Sequence, residues 1–214
     1  MYYKGERLAT TSPNSDLHGY GEAIREELAG RIPQDRAVRA LDVGTGFGIN
    51  VAFLARMLGR GSEVWSIDPS REVLEASSAA LGRAEARRVR FVEASADDTG
   101  FEDGFFDVVS SVMVLHHIAS LQPALEEMAR VLAPGGLLVL VDYKPAASKK
   151  LEFRSRHEAE DFFTAAEVAR GLAKAGLEAR RKDFGVWYLV EARKLNAPRG
   201  GGRARPAGRA RAGR

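Results

Sequence analysis

The 214-residue chain contains no cysteine. Disulfides, thiolate metal sites and cysteine nucleophiles are therefore excluded. Histidine is scarce too: His18, His116, His117 and His157 are the whole supply, so a metal centre is not indicated. No apolar run approaches the roughly 18 residues of a membrane-spanning helix. The opening MYYKGERLATTSPNSD is polar and lacks the apolar core of a secretory signal, so the expected location is the cytoplasm. Acidic residues are missing from one region only. Residues 193–214 hold eight of the 32 Lys and Arg and no acid, leaving 24 basic against 29 acidic residues before Arg193. The body is thus mildly acidic, and the basic character of the chain resides in its tail.

What is present reads as one α/β domain. Strand-like and helix-like segments alternate from 38 to 192: VRALDV (38–43), INVAFLARML (49–58), EVWSID (63–68), SREVLEASSAAL (70–81), RVRFVEAS (88–95), FFDVVSSVMV (105–114), LQPALEEMARVL (121–132), LLVLVDY (137–143) and TAAEVARGLAKAG (164–176). Two further strands follow around Gly185. Pro134-Gly135-Gly136 carries the residues that a type II turn requires. Alternation of this kind calls for a doubly wound, mostly parallel sheet with right-handed crossovers and helices on both faces. The last strand pair closes one edge with an antiparallel strand. Residues 15–32 read as a helix ahead of the sheet. The tail 196–214 is Gly, Ala, Pro and Arg apart from Asn196, too polar to build a core, and is expected to be disordered.

The stretch LDVGTGFGIN (41–50) joins the first core strand to the next helix. In such sheets ligands bind at the carboxyl ends of the strands. Glycines allow close approach to the backbone, and the free N–H groups of a helix start favour an anionic group. A dinucleotide fingerprint reads G-x-G-x-x-G/A, whereas here Ile49 occupies its third small position. Asp42 lies where a carboxylate would repel a pyrophosphate and suits an ammonium instead. A nucleoside ligand that also carries an ammonium and a carboxylate is S-adenosylmethionine.

With these residues in view, LDVGTGFG resembles motif I of the class I S-adenosylmethionine-dependent methyltransferases. VWSIDPS is similar to their second strand ending in a ribose-binding acid. FVEASADD is similar to the adenine loop, SSVMVLHHI to the segment after the fourth strand, and EMARVLAPGGLLVLVDY to the helix, turn and fifth strand. The resemblance covers about residues 15–195 and comes nearest to the small-molecule, quinone-biosynthesis type. It implies a seven-stranded Rossmann-like sheet of order 3-2-1-4-5-7-6, with strand 7 antiparallel. It also implies a methyltransferase domain over 1–195, with 1–35 as an N-terminal lid and helix segment, that moves a methyl group to a small molecule by in-line displacement.

The same resemblance assigns candidate roles. Gly44, Thr45, Gly46 and Gly48 form the ligand loop, and Asp42 partners the methionine ammonium directly or through water; the other reading of Asp42 is a cap for the following helix. Asp68 takes the two ribose hydroxyls, since an ionised carboxylate offers two acceptor oxygens; it lies 20 residues beyond Gly48, the ribose-acid spacing. Pro69 covers one adenine face. Ser95, Ala96 and Asp97 form the adenine loop, where the family often has Gly-Asp-Ala, so Ser95 stands in the aspartate's place. Ser110 and Ser111 end the fourth strand near the reactive end of the cofactor. His116 and His117, with His18, are candidates for a base, histidine titrating near neutrality. His18 and Tyr20 are placed to close over the site; Tyr20, Phe47 and Tyr143 could face the sulfonium. Alternatives remain: a nicotinamide oxidoreductase, a binding module without catalysis, or an RNA or protein methyltransferase that uses the basic tail as an anchor.

Overall fold

The computed structural model describes residues 21–147 and 162–195, and the backbone of two short strands, β1 (Tyr2–Tyr3) and β2 (Glu6–Arg7), which pair antiparallel. His18, Tyr20, His157, the interval 148–161 and the tail 196–214 lie outside the described residues. Helix α1 (Gly21–Ala29) corresponds to the helix expected over 15–32 but ends three residues earlier, residues 30–32 forming a turn; residues 15–20 lie outside the described residues. The core then runs β3 (Arg39–Val43), α2 (Ile49–Met57), β4 (Glu63–Asp68), α3 (Arg71–Ala80), the single turn α4 (Arg83–Ala86), β5 (Val89–Glu93), β6 (Phe106–Val112), α5 (Leu121–Val131), β7 (Leu132–Tyr143), α6 (Ala165–Lys174), β8 (Glu178–Asp183) and β9 (Trp187–Arg193).

The seven core strands lie in the order β5-β4-β3-β6-β7-β9-β8, which is 3-2-1-4-5-7-6 counted from β3. Pairings among β5, β4, β3, β6 and β7 are parallel, and β9 is antiparallel to both neighbours. The doubly wound class is therefore as the alternation predicts. Strands buried on both faces need apolar residues at consecutive positions, and β6, β7 and β9 supply them. Leu41, Val109, Leu138, Leu140 and Tyr188 face Leu125 and Met128 of α5 and Val168 and Leu172 of α6. Ala40, Val64, Val108, Val139 and Leu189 face Ile24 and Leu28 of α1 and Val51 and Leu54 of α2. Edge strand β8 is mostly exposed and carries Arg180, Arg181 and Lys182, charges that discourage pairing with another chain.

Helix starts follow from local chemistry. Ser70 caps α3 by accepting from the Val73 N–H at 3.3 Å. Thr164 and Glu167 form a reciprocal capping box on α6. The Pro134-Gly135-Gly136 turn corrects the expectation of a break between helix and strand, because β7 runs through it. Its register against β6 shifts, with Phe106 facing Leu132 and Val108 facing Leu137. Gly135 keeps the left-handed φ of 74° that a type II turn wants. The segment is retained in the sheet because the Gly135 N–H donates to the Lys194 carbonyl at 2.8 Å and the Lys194 N–H to the Gly136 carbonyl at 3.2 Å.

Candidate cofactor site

The parallel order brings the carboxyl ends of β3, β4, β5 and β6 to one edge of the sheet, and the segments that follow them carry the sequence-derived candidates. Gly44, Gly46 and Gly48 all have left-handed backbones, with φ of 84°, 50° and 76°. Gly44 is small for a second reason. A Cβ there would stand 2.4 and 2.6 Å from the two terminal carbons of Val114, in the segment after β6. The loop is pinned from outside: the Gly44 and Thr45 N–H groups donate to the Ile67 carbonyl, and the Ser77 hydroxyl donates to the Gly46 carbonyl at 2.7 Å. Gly48 is the N-cap of α2, and no side chain caps that helix. Its first N–H groups thus present a partial positive charge to an anion.

Asp42 is 0 % exposed. One carboxylate oxygen accepts from the Asn50 amide at 2.6 Å and the other from the Ser66 hydroxyl at 2.7 Å. Asn50 also reaches Ser110 at 3.2 Å, and Ser66 lies 2.7 Å from the Thr45 hydroxyl. Burial, opposed by those two hydrogen bonds, pushes the Asp42 carboxyl up to about 7. The carboxylate is thus knit into a polar network joining β3, β4, β6, α2 and the glycine loop. Neither Asn50 nor Ser66 was identified from sequence, although a serine inside the apolar run EVWSID was a readable sign of a buried polar partner.

Asp68, half-buried at the end of β4, accepts from the Ser70 N–H at 3.0 Å and the Gly46 N–H at 3.3 Å, one on each oxygen. Burial raises its carboxyl above the usual range. A carboxylate has about four acceptor positions, so two remain, enough for a vicinal pair of hydroxyls. Pro69 beside it is exposed. After β5, Ser95 is exposed and donates to the Asp97 carboxylate, while Ala96 is half-buried between them. Ser111 is fully buried, and its hydroxyl has no partner among the described residues.

His116 and His117 lie on a single 3₁₀ turn after β6, with ring centroids 4.2 Å apart. They differ in environment: His117 is exposed, whereas His116 is 7 % exposed and stacked on Phe162 at 4.9 Å. Met113, ahead of this turn, has φ of 57°, rare for a non-glycine residue. The Asp142 carboxylate at the end of β7 lies 2.6 Å from His116 Nδ1. Asp142 was not singled out from sequence, though an acid closing the apolar strand LLVLVDY marks it. Phe47 is 39 % exposed on the glycine loop, and Tyr143 is buried.

Glycine cradle, uncapped helix start and half-exposed acid together fit a nucleoside ligand that bears a carboxylate, and the strand order is that of the class I methyltransferase fold. Residues 41–140 match the family model of a methyltransferase domain. A crystal structure of a SAM-dependent methyltransferase from Aquifex aeolicus superposes with a TM-score of 0.70 over 87 % of this chain and 100 % of that one, at 22 % identity. The [4+2]-cyclase SpnF superposes at 0.73 over 88 % of this chain and 86 % of that one, at 18 % identity, so the fold alone does not specify the reaction. The family-model match takes in just under half of the chain, and the chain is similar to the class I S-adenosylmethionine-dependent methyltransferases in fold and in this segment. Among its curated relatives, the ubiquinone/menaquinone biosynthesis C-methyltransferase UbiE of Azotobacter vinelandii is 33 % identical over 132 residues, 61 % of this chain and 51 % of that one. The demethylmenaquinone methyltransferase of Thermus thermophilus is 39 % identical over 109 residues, 50 % of this chain and 48 % of that one. The chain thus spans about half the length of these relatives. Among the described residues no helix is long and apolar enough to cross a membrane, and no group of His, Asp and Glu is disposed to hold a metal ion.

Proposed function

We propose that the chain is an enzyme that binds S-adenosylmethionine at the carboxyl ends of β3 to β6 and transfers its methyl group to a small molecule, with an electron-rich aromatic ring of the quinol type as the acceptor class. The observation that carries this reading is the pairing of the uncapped start of α2 with Asp68. One end receives a carboxylate and the other two hydroxyls; a dinucleotide's pyrophosphate would suit the helix start as well, and Ile49 in place of its third small residue tells against it. The acceptor class comes from the relatives, a ubiquinone/menaquinone biosynthesis C-methyltransferase and a demethylmenaquinone methyltransferase.

The cofactor, when bound, supplies a methyl group already activated on a sulfonium. The chain's residues then bind, orient and exclude water. Gly44 to Gly48 bring the backbone against the ligand; Asp68 fixes the ribose; Ser95, Ala96 and Asp97 border the adenine; and Pro69 covers it. Asp42 acts through the loop it holds. Holding two reactants in line is worth about 7–11 kcal/mol of barrier, so the reaction class demands no nucleophile from the protein. The lid role of 1–35, with His18 and Tyr20, belongs to this proposal as well. Nothing in the described structure favours a nucleic-acid substrate.

Incubation with methyl-labelled S-adenosylmethionine and 1,4-dihydroxynaphthalene tests the reading. Label transferred to the ring compound supports it. Cofactor binding without transfer to that ring or to any small molecule of a cell extract refutes the enzymatic reading.

A further inference from the structure

Asn50, the second residue of α2, has its side-chain nitrogen fully committed. Nδ2 donates to the Asp42 carboxylate at 2.6 Å and to the Ser110 hydroxyl at 3.2 Å. A carboxamide has two hydrogens on nitrogen and one acceptor oxygen, so only the oxygen end remains to be used. Asp42 and Ser110 are both fully buried, and the nitrogen therefore points into the protein. Oδ1, on the other branch of the same planar group, accepts from no described residue. It is not buried either: among the described residues the buried side-chain oxygens without a partner are the hydroxyls of Ser111 and Tyr188. Asn50 is half-buried, and its carbonyl oxygen is the end left open at the carboxyl edge of the sheet.

The chemistry of the ligand gives that oxygen a use. In an α-amino acid the ammonium is bonded to the carbon that bears the carboxylate. A carboxylate received at the start of α2 thus brings its ammonium to the first turn of that helix, where the partial positive charge of the helix start opposes it. An acceptor is needed there. Asp42 has the right charge but no exposed surface, and it lies behind the Asn50 amide. No cation compensates it from within the protein: the one charged group that acts on Asp42 is Asp68, another acid. A ligand ammonium beside this corner favours the ionised carboxylate. Ionised, Asp42 can only accept, which keeps the amide nitrogen turned inward and the oxygen turned out.

We propose that Asn50 Oδ1 accepts from the ammonium of S-adenosylmethionine, and that Asp42 is a positioning residue that acts through Asn50 by fixing which way its amide faces. Asp42 adds its charge from behind the amide without touching the ligand. Ser110 anchors the second amide hydrogen and so completes the orientation. This rests on the cofactor reading above. It makes Asn50 the residue that tells a nucleoside bearing an amino acid from one bearing a carboxylate alone.

Calorimetry of the full chain with two ligands tests this. One is S-adenosylhomocysteine, which keeps the ammonium. The other is its deaminated analogue, in which hydrogen replaces the amino group while the carboxylate and nucleoside stay. Asn50→Ala should bind S-adenosylhomocysteine about 10- to 100-fold more weakly than wild type, the loss of one charge-assisted hydrogen bond, and the deaminated analogue within about threefold. A merely structural role would weaken both ligands alike, and that result overturns the proposal, as does unchanged affinity for S-adenosylhomocysteine. Ser110→Ala keeps Asn50 but frees one of its anchors, and should show a smaller loss with the same selectivity; equal losses for the two ligands overturn the proposal even if Asn50→Ala fails to fold. The side-chain ¹⁵N resonance of Asn50 in wild type reads the contact without any substitution. It should move further with S-adenosylhomocysteine than with the deaminated analogue, and equal shifts count against the contact. Failure of wild type to bind S-adenosylhomocysteine refutes the cofactor reading itself, and the Asn50 assignment falls with it.

Discussion

Replacing Gly44 by alanine separates two costs that coincide in the glycine loop. A side chain at φ 84° incurs the left-handed penalty, about 1–2 kcal/mol. The new Cβ would also lie 2.4 and 2.6 Å from Val114 carbons, where carbon–carbon contact is comfortable at about 3.5–4.0 Å. Overpacking of that kind costs about 1–3 kcal/mol. Gly44→Ala should therefore destabilise by about 2–5 kcal/mol, a large part of the ~5–15 kcal/mol that holds a domain folded. Gly100 is the internal control. Its φ is 71°, and a Cβ at that position would meet nothing within 4 Å, so Gly100→Ala should cost only the left-handed part, about 1–2 kcal/mol. Adding Val114→Ala to Gly44→Ala should recover the overpacking share, seen as a coupling of about 1–3 kcal/mol in a double-mutant cycle. Urea unfolding of wild type and these variants, with Val114→Ala alone to close the cycle, measures all of this. Equal destabilisation by Gly44→Ala and Gly100→Ala, or no rescue by Val114→Ala, would refute the contact.

Other outcomes follow from the buried polar groups. Asp42 has its carboxyl raised from 3.8 to about 7, so between those pH values the folded state holds a proton that the unfolded chain has lost. Stability should fall as pH rises from about 4 to about 7 and level off above. The difference between wild type and Asp42→Asn should show this slope, with a ceiling of about 4 kcal/mol at 1.36 kcal/mol per pH unit; a flat difference in urea midpoints contradicts it. The Tyr188 hydroxyl is buried without a partner among the described residues, and an unpaired buried polar group costs about 1–3 kcal/mol. Tyr188→Phe should thus raise the thermal midpoint or leave it unchanged, and a lowered midpoint would reveal a partner. Lys194 donates through Nζ to the Ala129, Arg130 and Leu132 carbonyls at the end of α5. Lys194→Met should cost about 2 kcal/mol in urea unfolding, with S-adenosylmethionine affinity unchanged.

The fold was legible because its cues are local and repeated. Apolar runs such as FFDVVSSVMV and the cap Ser70 mark element after element, and the glycines of LDVGTGFG locate the edge where ligands bind. The site was legible where one residue type has one use, as with three glycines at positive φ or an acid at the end of β4. It was hidden where the chemistry is made by partners far apart in the chain. Asp42 reads alone as a ligand contact, yet it is buried and each of its oxygens also accepts from a partner, Asn50 or Ser66, the latter 24 residues away. His116 reads as one of a pair with His117, yet its companion is Asp142, 26 residues on. Pro134-Gly135-Gly136 reads as a terminating turn, yet hydrogen bonds to Lys194 keep it in the sheet. No periodicity in a single sequence encodes those distant contacts.

The claim that this edge of the sheet is an S-adenosylmethionine site is tested most directly by calorimetric titration of wild type and Asp68→Ala with S-adenosylmethionine, and of wild type with NADH. One cofactor per chain should bind to wild type, with affinity at least tenfold weaker in Asp68→Ala, the loss of one charge-assisted hydrogen bond at about 1.5–3 kcal/mol. Tight NADH binding without S-adenosylmethionine binding, or equal S-adenosylmethionine affinity in both proteins, would contradict it.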